Sequence, residues 1–225
     1  TEIVLSPHKD LVDLKKQKIV EILSLVKSTA IFVGFFLLLY GSAVQAFKIP
    51  SQSMEPTLIK GDYLLVNKLC YGIRLVFFPE MLYNYSIPER GDIVVFTRPN
   101  NDPETPKFDE RKKNIIKRVV GLPGDTVEVI GTRVYINGKR HEEAYARWRR
   151  GGANEDFGPK KIPQGHVLVL GDNRDHSRDS RFWKREKDGR IVDDHFLPIK
   201  RIKGKAFIIY WNSEFQFDRI LNIIR

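Results

Sequence analysis

The chain of 225 residues has only one cysteine, Cys70, and it contains no internal repeat and no low-complexity tract. A single cysteine cannot form an intramolecular disulfide, so a disulfide-stapled scaffold is excluded. Histidine, the usual general base in enzymes, is also scarce. Of the five histidines, His8, His141, His166 and His195 lie in sequence contexts that suggest no catalytic partner. A base of another type is therefore the better candidate for proton transfer.

Basic residues outnumber acidic ones, and the formal net charge is +10 at pH 7. They are scattered along the chain, whereas a nucleic-acid-binding domain would interleave them with aromatic residues in one recognisable module. Attraction to an anionic membrane surface accounts for the excess with fewer assumptions. The sequence therefore predicts membrane lipids, and no nucleic acid, as partners.

Charge is absent from residues 28–47, a run of about the twenty residues that a helix needs to cross a bilayer. Lysines are frequent before this run and sparse after it: Lys9, Lys15, Lys16, Lys18 and Lys27 precede it, and Lys48 and Lys60 follow it. Under the positive-inside rule, this asymmetry predicts a cytoplasmic N-terminus and an exported remainder.

We therefore predict a helical cytoplasmic segment over 1–27, a transmembrane helix over 28–47 and an exported domain over 48–225. The protein would then be a single-pass protein of the cell inner (cytoplasmic) membrane. A buried core helix is one alternative for the apolar run. A signal peptide cleaved after Val44-Gln45-Ala46 is another, because these residues match the small-residue cleavage pattern.

The exported part alternates short segments rich in β-branched and aromatic residues with turn signals. The predicted strands are Tyr63–Val66, Asp92–Phe96, Asn114–Val120, Thr126–Ile130, Arg133–Ile136, His166–Leu170 and Lys205–Trp211. Asn137-Gly138 is a strong signal for a two-residue hairpin turn. This pattern predicts a mostly β fold, an antiparallel and barrel-like domain, with an inserted subregion at 139–161 that is rich in Arg and Gly.

Ser53 is a candidate nucleophile, because it lies in the stretch Pro50–Leu58 directly after the apolar run. A serine hydroxyl needs a partner that takes its proton. Strand alternation places Lys117 on the same apolar face as Ile115, where desolvation would lower the lysine pKa toward the range of a general base. The alternative is an exposed pair, Lys117 and Arg118, on an edge strand.

A dense polar turn, Gly171–Arg181, directly follows the predicted strand His166–Leu170. Its aspartates and arginines can satisfy one another, and Ser177 can hydrogen-bond to an amine. A calcium loop is an alternative for so many polar residues. However, the arginines oppose a bound cation, and the acidic spacing of a calcium-binding loop is absent.

Together these features resemble type I signal peptidases, the membrane-anchored Ser–Lys proteases that remove signal peptides from exported proteins. The resemblance covers the chain from about residue 28 to about residue 211. The motifs that carry it, in family order, are the apolar anchor, Pro50–Leu58, Arg90–Phe96, Ile116–Asp125 and Gly171–Arg181. It implies a serine endopeptidase that cleaves signal peptides from preproteins through an acyl-enzyme, at the outer face of the membrane, without a metal or cofactor.

The resemblance also implies roles for individual residues. Ser53 would be the nucleophile and Lys117 the general base. Ser51 would add its hydroxyl to the oxyanion hole beside the backbone N–H of Ser53, and Ser177 would hydrogen-bond to Lys117 and orient it. The implied supporting residues are Asp172 and the ion pair of Asp179 and Arg181. The apolar residues expected to contact the substrate are Ile49, Pro50, Met54, Leu58, Ile115 and Ile116.

One residue departs from the family pattern, since His176 stands where bacterial members usually have Asn; we interpret it as a tolerated change near the site.

Three other classes of protein are alternatives. Self-cleaving SOS-type repressors share a Ser-Met-x-Pro stretch and a lysine base, but they are soluble and carry a DNA-binding domain. Mitochondrial inner-membrane peptidases are a closer alternative. A catalytically inactive, membrane-anchored β scaffold is the non-enzymatic one, and the presence of Ser53, Lys117 and Ser177 in family order argues against it.

Overall fold

The computed structural model describes residues 7–73, 83–97, 114–148, 156–187 and 190–224, without the side chains of 7–14, 35–42, 73, 84, 185–187 and 191. The chain divides into two compact units, Thr1–Gly41 and Ser42–Arg225.

The second unit consists mainly of antiparallel strands, so the predicted mostly β, antiparallel fold class is confirmed. The strands are β1 (Val44–Lys48), β2 (Asp62–Asn67), β3 (Gly72–Ile73), β4 (Tyr83–Asn84), β5 (Ile93–Thr97), β6 (Asn114–Gly121), β7 (Thr126–Ile130), β8 (Arg133–Ile136), β9 (Lys139–His141), β10 (Phe157–Lys161), β11 (His166–Leu170), β12 (Lys184–Lys187), β13 (Arg190–Asp193), β14 (Leu197–Pro198) and β15 (Ile202–Asn212). Short 3-10 helices occupy Arg174–His176, Ile199–Arg201 and Phe217–Arg219.

Two sheets organise this unit. A 7-stranded sheet has the order β1-β2-β15-β5-β6-β11-β14, and a 4-stranded sheet has the order β10-β7-β8-β9. The predicted Asn137-Gly138 turn joins β8 to β9, and both of its residues have the positive φ (52° and 75°) that a two-residue hairpin turn favours. The two ends of the predicted inserted subregion, 139–161, form β9 and β10 and therefore belong to the 4-stranded sheet.

The first unit contains most of one helix, α1 (Pro7–Ala43). Proline is favoured at the first helical position, because its missing N–H would have no partner there in any case. Large apolar side chains of α1 between Ile19 and Val33 are exposed.

The predicted transmembrane helix, 28–47, differs from the structure at its C-terminal end. The helix ends at Ala43, because Val44–Lys48 pairs with β2 as an antiparallel strand. The side chains of 35–42, in the middle of the predicted span, lie outside the described residues. Within the described part of the chain, no helix combines the length and the hydropathy that crossing a membrane requires.

Strand β6 lies inside the 7-stranded sheet, between β5 and β11, and apolar clusters pack around it. Ile116, Val119 and Val120 each belong to a different one of these clusters. Lys117 and Arg118 are consequently both buried, with 3% and 2% of their surface exposed. The alternative of an exposed Lys–Arg pair is therefore wrong, because both side chains are buried where these clusters pack around β6.

The segment after β15, residues 213–224, folds back and hydrogen-bonds to β15 through its backbone. From this segment, Arg219 donates to the Asp62 carboxylate at 2.6 Å and 3.1 Å, and to the Thr57 carbonyl at 3.0 Å. Asp62 is fully buried and also accepts a hydrogen bond from Asn212 at 2.7 Å. This ion pair ties the segment to the loop that follows Ser53.

Replacing Asp62 by alanine is expected to lower the free energy of unfolding by about 3 kcal/mol, because Arg219 loses its buried carboxylate. A urea titration of the full chain measures this change. Glu214→Ala is the matched control, since Glu214 lies in the same segment with an exposed side chain. Equal stability of the two variants would contradict the role of the ion pair.

Candidate active site

Ser53 and Lys117 meet in a buried position of the second unit. Ser53 lies in the turn after β1, and Lys117 lies in the middle of β6. The distance from Lys117 Nζ to Ser53 Oγ is 2.6 Å, and Nζ also donates to the Ile116 carbonyl at 3.0 Å. Ser51 Oγ is 3.4 Å from Ser53 Oγ. The two predicted catalytic residues and the predicted oxyanion donor are thus close together.

The sheet leaves room for this contact because its pairing is incomplete. Strand β6 pairs with β5 along residues 114–118, but it pairs with β11 only from Arg118 to Gly121. Among the described residues, no strand pairs with the other edge of 114–117. The chain that continues β11 instead turns toward Ser53: the Asn173 N–H donates to the Ser53 carbonyl at 3.2 Å. The Asn173 side chain also donates to the Gln52 carbonyl at 3.1 Å.

Gly171 begins this turn, and no larger residue fits there. A Cβ added at Gly171 would overlap with the carbonyl oxygen of Ser53 and with the side chain of Ser177. The backbone of the nucleophile and the polar turn therefore pack directly on each other. A glycine at the junction of a strand and a dense polar turn is a signal for such close packing. The sequence analysis nevertheless did not identify Gly171 as a functional residue.

Ser177 is placed differently from the prediction. It is buried beside Gly171, but its hydroxyl makes no hydrogen bond with Lys117. The predicted hydrogen bond is thus absent, because the Ser177 side chain packs in the space beside Gly171, where its hydroxyl has no hydrogen-bond partner among the described residues.

Asp179 and Arg181 form a fully enclosed ion pair within the polar turn. Arg181 donates to both carboxylate oxygens of Asp179, at 2.9 Å and 3.1 Å, and the Gly171 N–H donates to the same carboxylate at 3.0 Å. Burial alone would raise the pKa of Asp179, but the Arg181 charge and these hydrogen bonds hold it below its usual range. The pair closes the turn that begins at Gly171.

Asp172 binds Arg118 in the same way. Arg118 donates to its two oxygens at 2.9 Å and 2.7 Å, and the Thr57 hydroxyl donates to Asp172 as well. Arg118 also donates to the Gly91 carbonyl at 2.9 Å. Asp172 thereby joins three separate segments: the turn after β11, strand β6 and the loop after Ser53.

A groove with both polar and apolar lining residues lies beside Ile116, the neighbour of Lys117. It is lined by β1 and by Ile49, Pro50, Val95, Asn114, Ile115 and Ile116. Four of the predicted substrate-contacting residues are therefore at the groove. Met54 and Leu58 are not, because both side chains are 0% exposed in the apolar core below it.

Among the described residues, no group of three or more His, Cys, Asp or Glu side chains is arranged to hold a metal ion.

A family model with the description "Signal peptidase, peptidase S26" matches residues 22–211. The chain belongs to this family. The predicted enzyme class, a type I signal peptidase, is confirmed by the relatives as well as by the family match.

Signal peptidase I of Pseudomonas aeruginosa is 38% identical in an alignment over 202 residues, and this alignment covers 77% of this chain and 67% of that protein. Signal peptidase I P of Bacillus subtilis subsp. natto is 31% identical and covers 85% of this chain and 97% of its own length. A crystal structure of a signal peptidase I from Enterococcus faecalis is 29% identical, with a TM-score of 0.37; the match covers 52% of this chain and 95% of that one.

Sequence reasoning missed three residues of the predicted inserted subregion: Glu143 and Trp148, which contact the polar turn, and Tyr145, which lies against Arg118. Glu143 binds the buried Arg174, and Trp148 lies against Arg174 and Arg181. No local signal distinguishes Glu143 from its neighbour in the sequence, so these contacts could be found only from the fold.

Gly171→Ala is expected to lower the activity of the signal peptidase by about 100-fold, because the added Cβ displaces the Ser53 backbone and misaligns the nucleophile. Cleavage of a preprotein by the folded variant measures the loss. Gly34→Ala is the matched control, since no atom lies within 4 Å of a Cβ added at Gly34. Wild-type turnover by Gly171→Ala would show that the turn adapts without moving Ser53.

Proposed function

We propose that this signal peptidase uses Ser53 as its nucleophile and Lys117 as its general base to remove N-terminal signal peptides from exported preproteins. The observation that carries the proposal is the 2.6 Å separation of Lys117 Nζ and Ser53 Oγ in a buried site. Membership of the signal peptidase family supports the substrate class.

In the first step, the neutral amine of Lys117 accepts the hydroxyl proton of Ser53 while Oγ attacks the scissile carbonyl. The C–N bond then breaks, Lys117 passes the proton to the leaving amine, and the signal peptide remains as an ester of Ser53. In the second step, Lys117 takes a proton from a water molecule that attacks this ester; the bond between the acyl carbon and Ser53 Oγ then breaks, Lys117 returns the proton to Oγ, and the cleaved signal peptide leaves as a carboxylic acid. Burial favours the neutral amine, because removal from water penalises an ammonium ion more than an amine.

Ser51 and the backbone N–H of Ser53 would stabilise the oxyanion. The Ser51 hydroxyl is 3.4 Å from Ser53 Oγ, so it can reach an oxygen on the carbon that is bonded to Ser53. A donor placed where negative charge develops stabilises the transition state more than the ground state.

The substrate would lie extended between the chain at Ile49 and Pro50 and the edge of 114–116, with which no described strand pairs on the β11 side. Strand addition at a free sheet edge supplies backbone hydrogen bonds, while pockets select alternate side chains. As the family resemblance implies, the substrate would have small side chains at the first and third positions before the cut, and the groove at Ile115 and Ile116 would receive them.

The apolar helix would anchor the enzyme in the cell inner membrane, with the N-terminus in the cytoplasm and the catalytic unit on the outer side. Residues 28–43 carry no charge, and lysines are concentrated before them. This anchor would place the site near signal peptides that emerge from the membrane, and membrane lipids would be its second partner.

Lys117→Met is expected to abolish preprotein cleavage, as Ser53→Ala does, because no proton acceptor remains at Ser53. The variant should be at least as stable as the wild type near neutral pH, since methionine avoids the cost of burying an amine. Turnover and a urea midpoint are the measurements, with Lys161→Met as the control on an exposed lysine. Appreciable turnover by Lys117→Met, or a clear loss of stability, would contradict the assignment of Lys117 as the base.

Ser51→Ala is expected to lower kcat by about 10²–10³, the usual effect of losing one oxyanion donor. Ser51→Thr should keep most of the activity because it keeps the hydroxyl. Single-turnover cleavage of a preprotein compares the two variants. Similar losses from both would point to packing at residue 51 and not to the hydroxyl.

A further inference from the structure

Residues 142–148, which we call the strap, lie against the polar turn that follows β11. Glu143 in the strap binds Arg174 in the turn through two hydrogen bonds, each of 2.7 Å. The side chains are 6% and 0% exposed, so this is a buried, bidentate ion pair. Such pairs fix geometry strongly, because both planar groups must align.

The backbone of the strap pairs with the same turn. The Arg147 N–H donates to the Asp172 carbonyl at 2.7 Å, and the Arg174 N–H donates to the Arg147 carbonyl at 2.9 Å. These two bonds form a parallel bridge between Arg147 and Asn173. The turn thus gains an additional strand-like partner at the residues that follow Gly171.

Aromatic side chains of the strap cover the cations of the site. The Tyr145 ring lies 3.9 Å from the Arg118 guanidinium, and its hydroxyl donates to Glu143 at 3.1 Å. The Trp148 ring lies 5.5 Å from Arg174. Stacking of this kind holds a guanidinium in one orientation and is stronger when it is shielded from water.

The residues that the strap fixes are the ones that contact the nucleophile. Asn173 lies between the two backbone bonds of the strap and donates from its N–H to the Ser53 carbonyl and from its side chain to the Gln52 carbonyl. A shift of the turn would therefore move the Ser53 backbone, and with it both the Oγ and the N–H proposed for the oxyanion hole.

We propose that the strap is a positioning element for the Ser–Lys site, and that Glu143 is its key positioning residue. This inference rests on the proposed function of Ser53 and Lys117. Glu143 touches no reacting atom; it acts by holding Arg174, and through the turn it sets the position of Ser53.

The test compares Glu143→Gln with Glu142→Gln. Glu142 is the adjacent residue, but its side chain is 77% exposed and forms an ion pair with the exposed Arg140 at the surface. Glu143→Gln is expected to lower kcat for preprotein cleavage by about 10- to 100-fold, as small misplacements of reacting groups do. KM should change little, because no residue of the strap lines the groove proposed for the substrate. Glu142→Gln should match the wild type.

A second readout separates positioning from stability alone. Hydrogen exchange at the amides of Arg147, Asn173 and Arg174 should be faster in Glu143→Gln at a temperature where the variant remains folded, and unchanged in Glu142→Gln. A double mutant, Glu143→Gln with Arg174→Gln, should lose little more activity than either single variant, because the two residues act as one unit.

Wild-type kcat in folded Glu143→Gln would overturn the inference, and so would a loss that appears only in KM or only near the unfolding temperature. If Glu143→Gln does not fold, Tyr145→Phe provides the comparison, since it removes only the hydroxyl that contacts Glu143. Unchanged kcat and exchange in Tyr145→Phe would then overturn the inference. Wild type and Ser53→Ala are run in parallel, because failure of the wild type to cleave would refute the proposed function and not the role of the strap.

Discussion

The site depends on holding an amine away from water in the middle of strand β6. Lys117 and Arg118 are both buried, although they are adjacent in the sequence and β11 pairs only with the second of them. The two side chains have different partners. Arg118, which stays charged in proteins, makes paired hydrogen bonds with the Asp172 carboxylate. Lys117 approaches the oxygens of Ser53 and Ile116, and a lysine can give up its proton where an arginine cannot.

The same strand explains why the site is accessible. Pairing with β11 stops at Arg118, so the edge of 114–117 is left for another extended chain, while the turn after β11 crosses toward Ser53. The contact of Lys117 with Ser53 and the proposed substrate binding would thus both depend on one interruption in the sheet. A complete ladder along β6 would have covered the amine and left no edge for strand addition.

Much of this could be predicted from the sequence, because alternation and turn residues are local signals. The longer strands and the Asn137-Gly138 hairpin were found in this way. Strand β1 was missed, since Val44–Lys48 continues an apolar run and only its pairing with β2 reveals it as a strand. Alternation also placed Lys117 and Arg118 on opposite faces, but the order of strands, which buries both, is not a local property.

The residues of the site that belong to sequence motifs could be predicted, but the contacts that depend on side-chain packing could not. Ser53, Lys117 and Ser51 come together as expected, whereas Ser177 packs beside Gly171 without bonding to Lys117. Glu143 could not be distinguished from the residue before it, because two consecutive carboxylates look alike until one of them is buried against an arginine.

The contact of Arg219 with Thr57 and Asp62 has a consequence for the time course of synthesis. The partners are 157 residues apart for Asp62 and 162 for Thr57, so the loop after Ser53 leaves the ribosome long before the arginine that binds it. A nascent chain that ends in β15 has its nucleophile and its base but lacks this clamp. We therefore expect the loop after Ser53 to be fixed only after Arg219 has been synthesised, so a chain that stops short of it would hold its nucleophile less firmly.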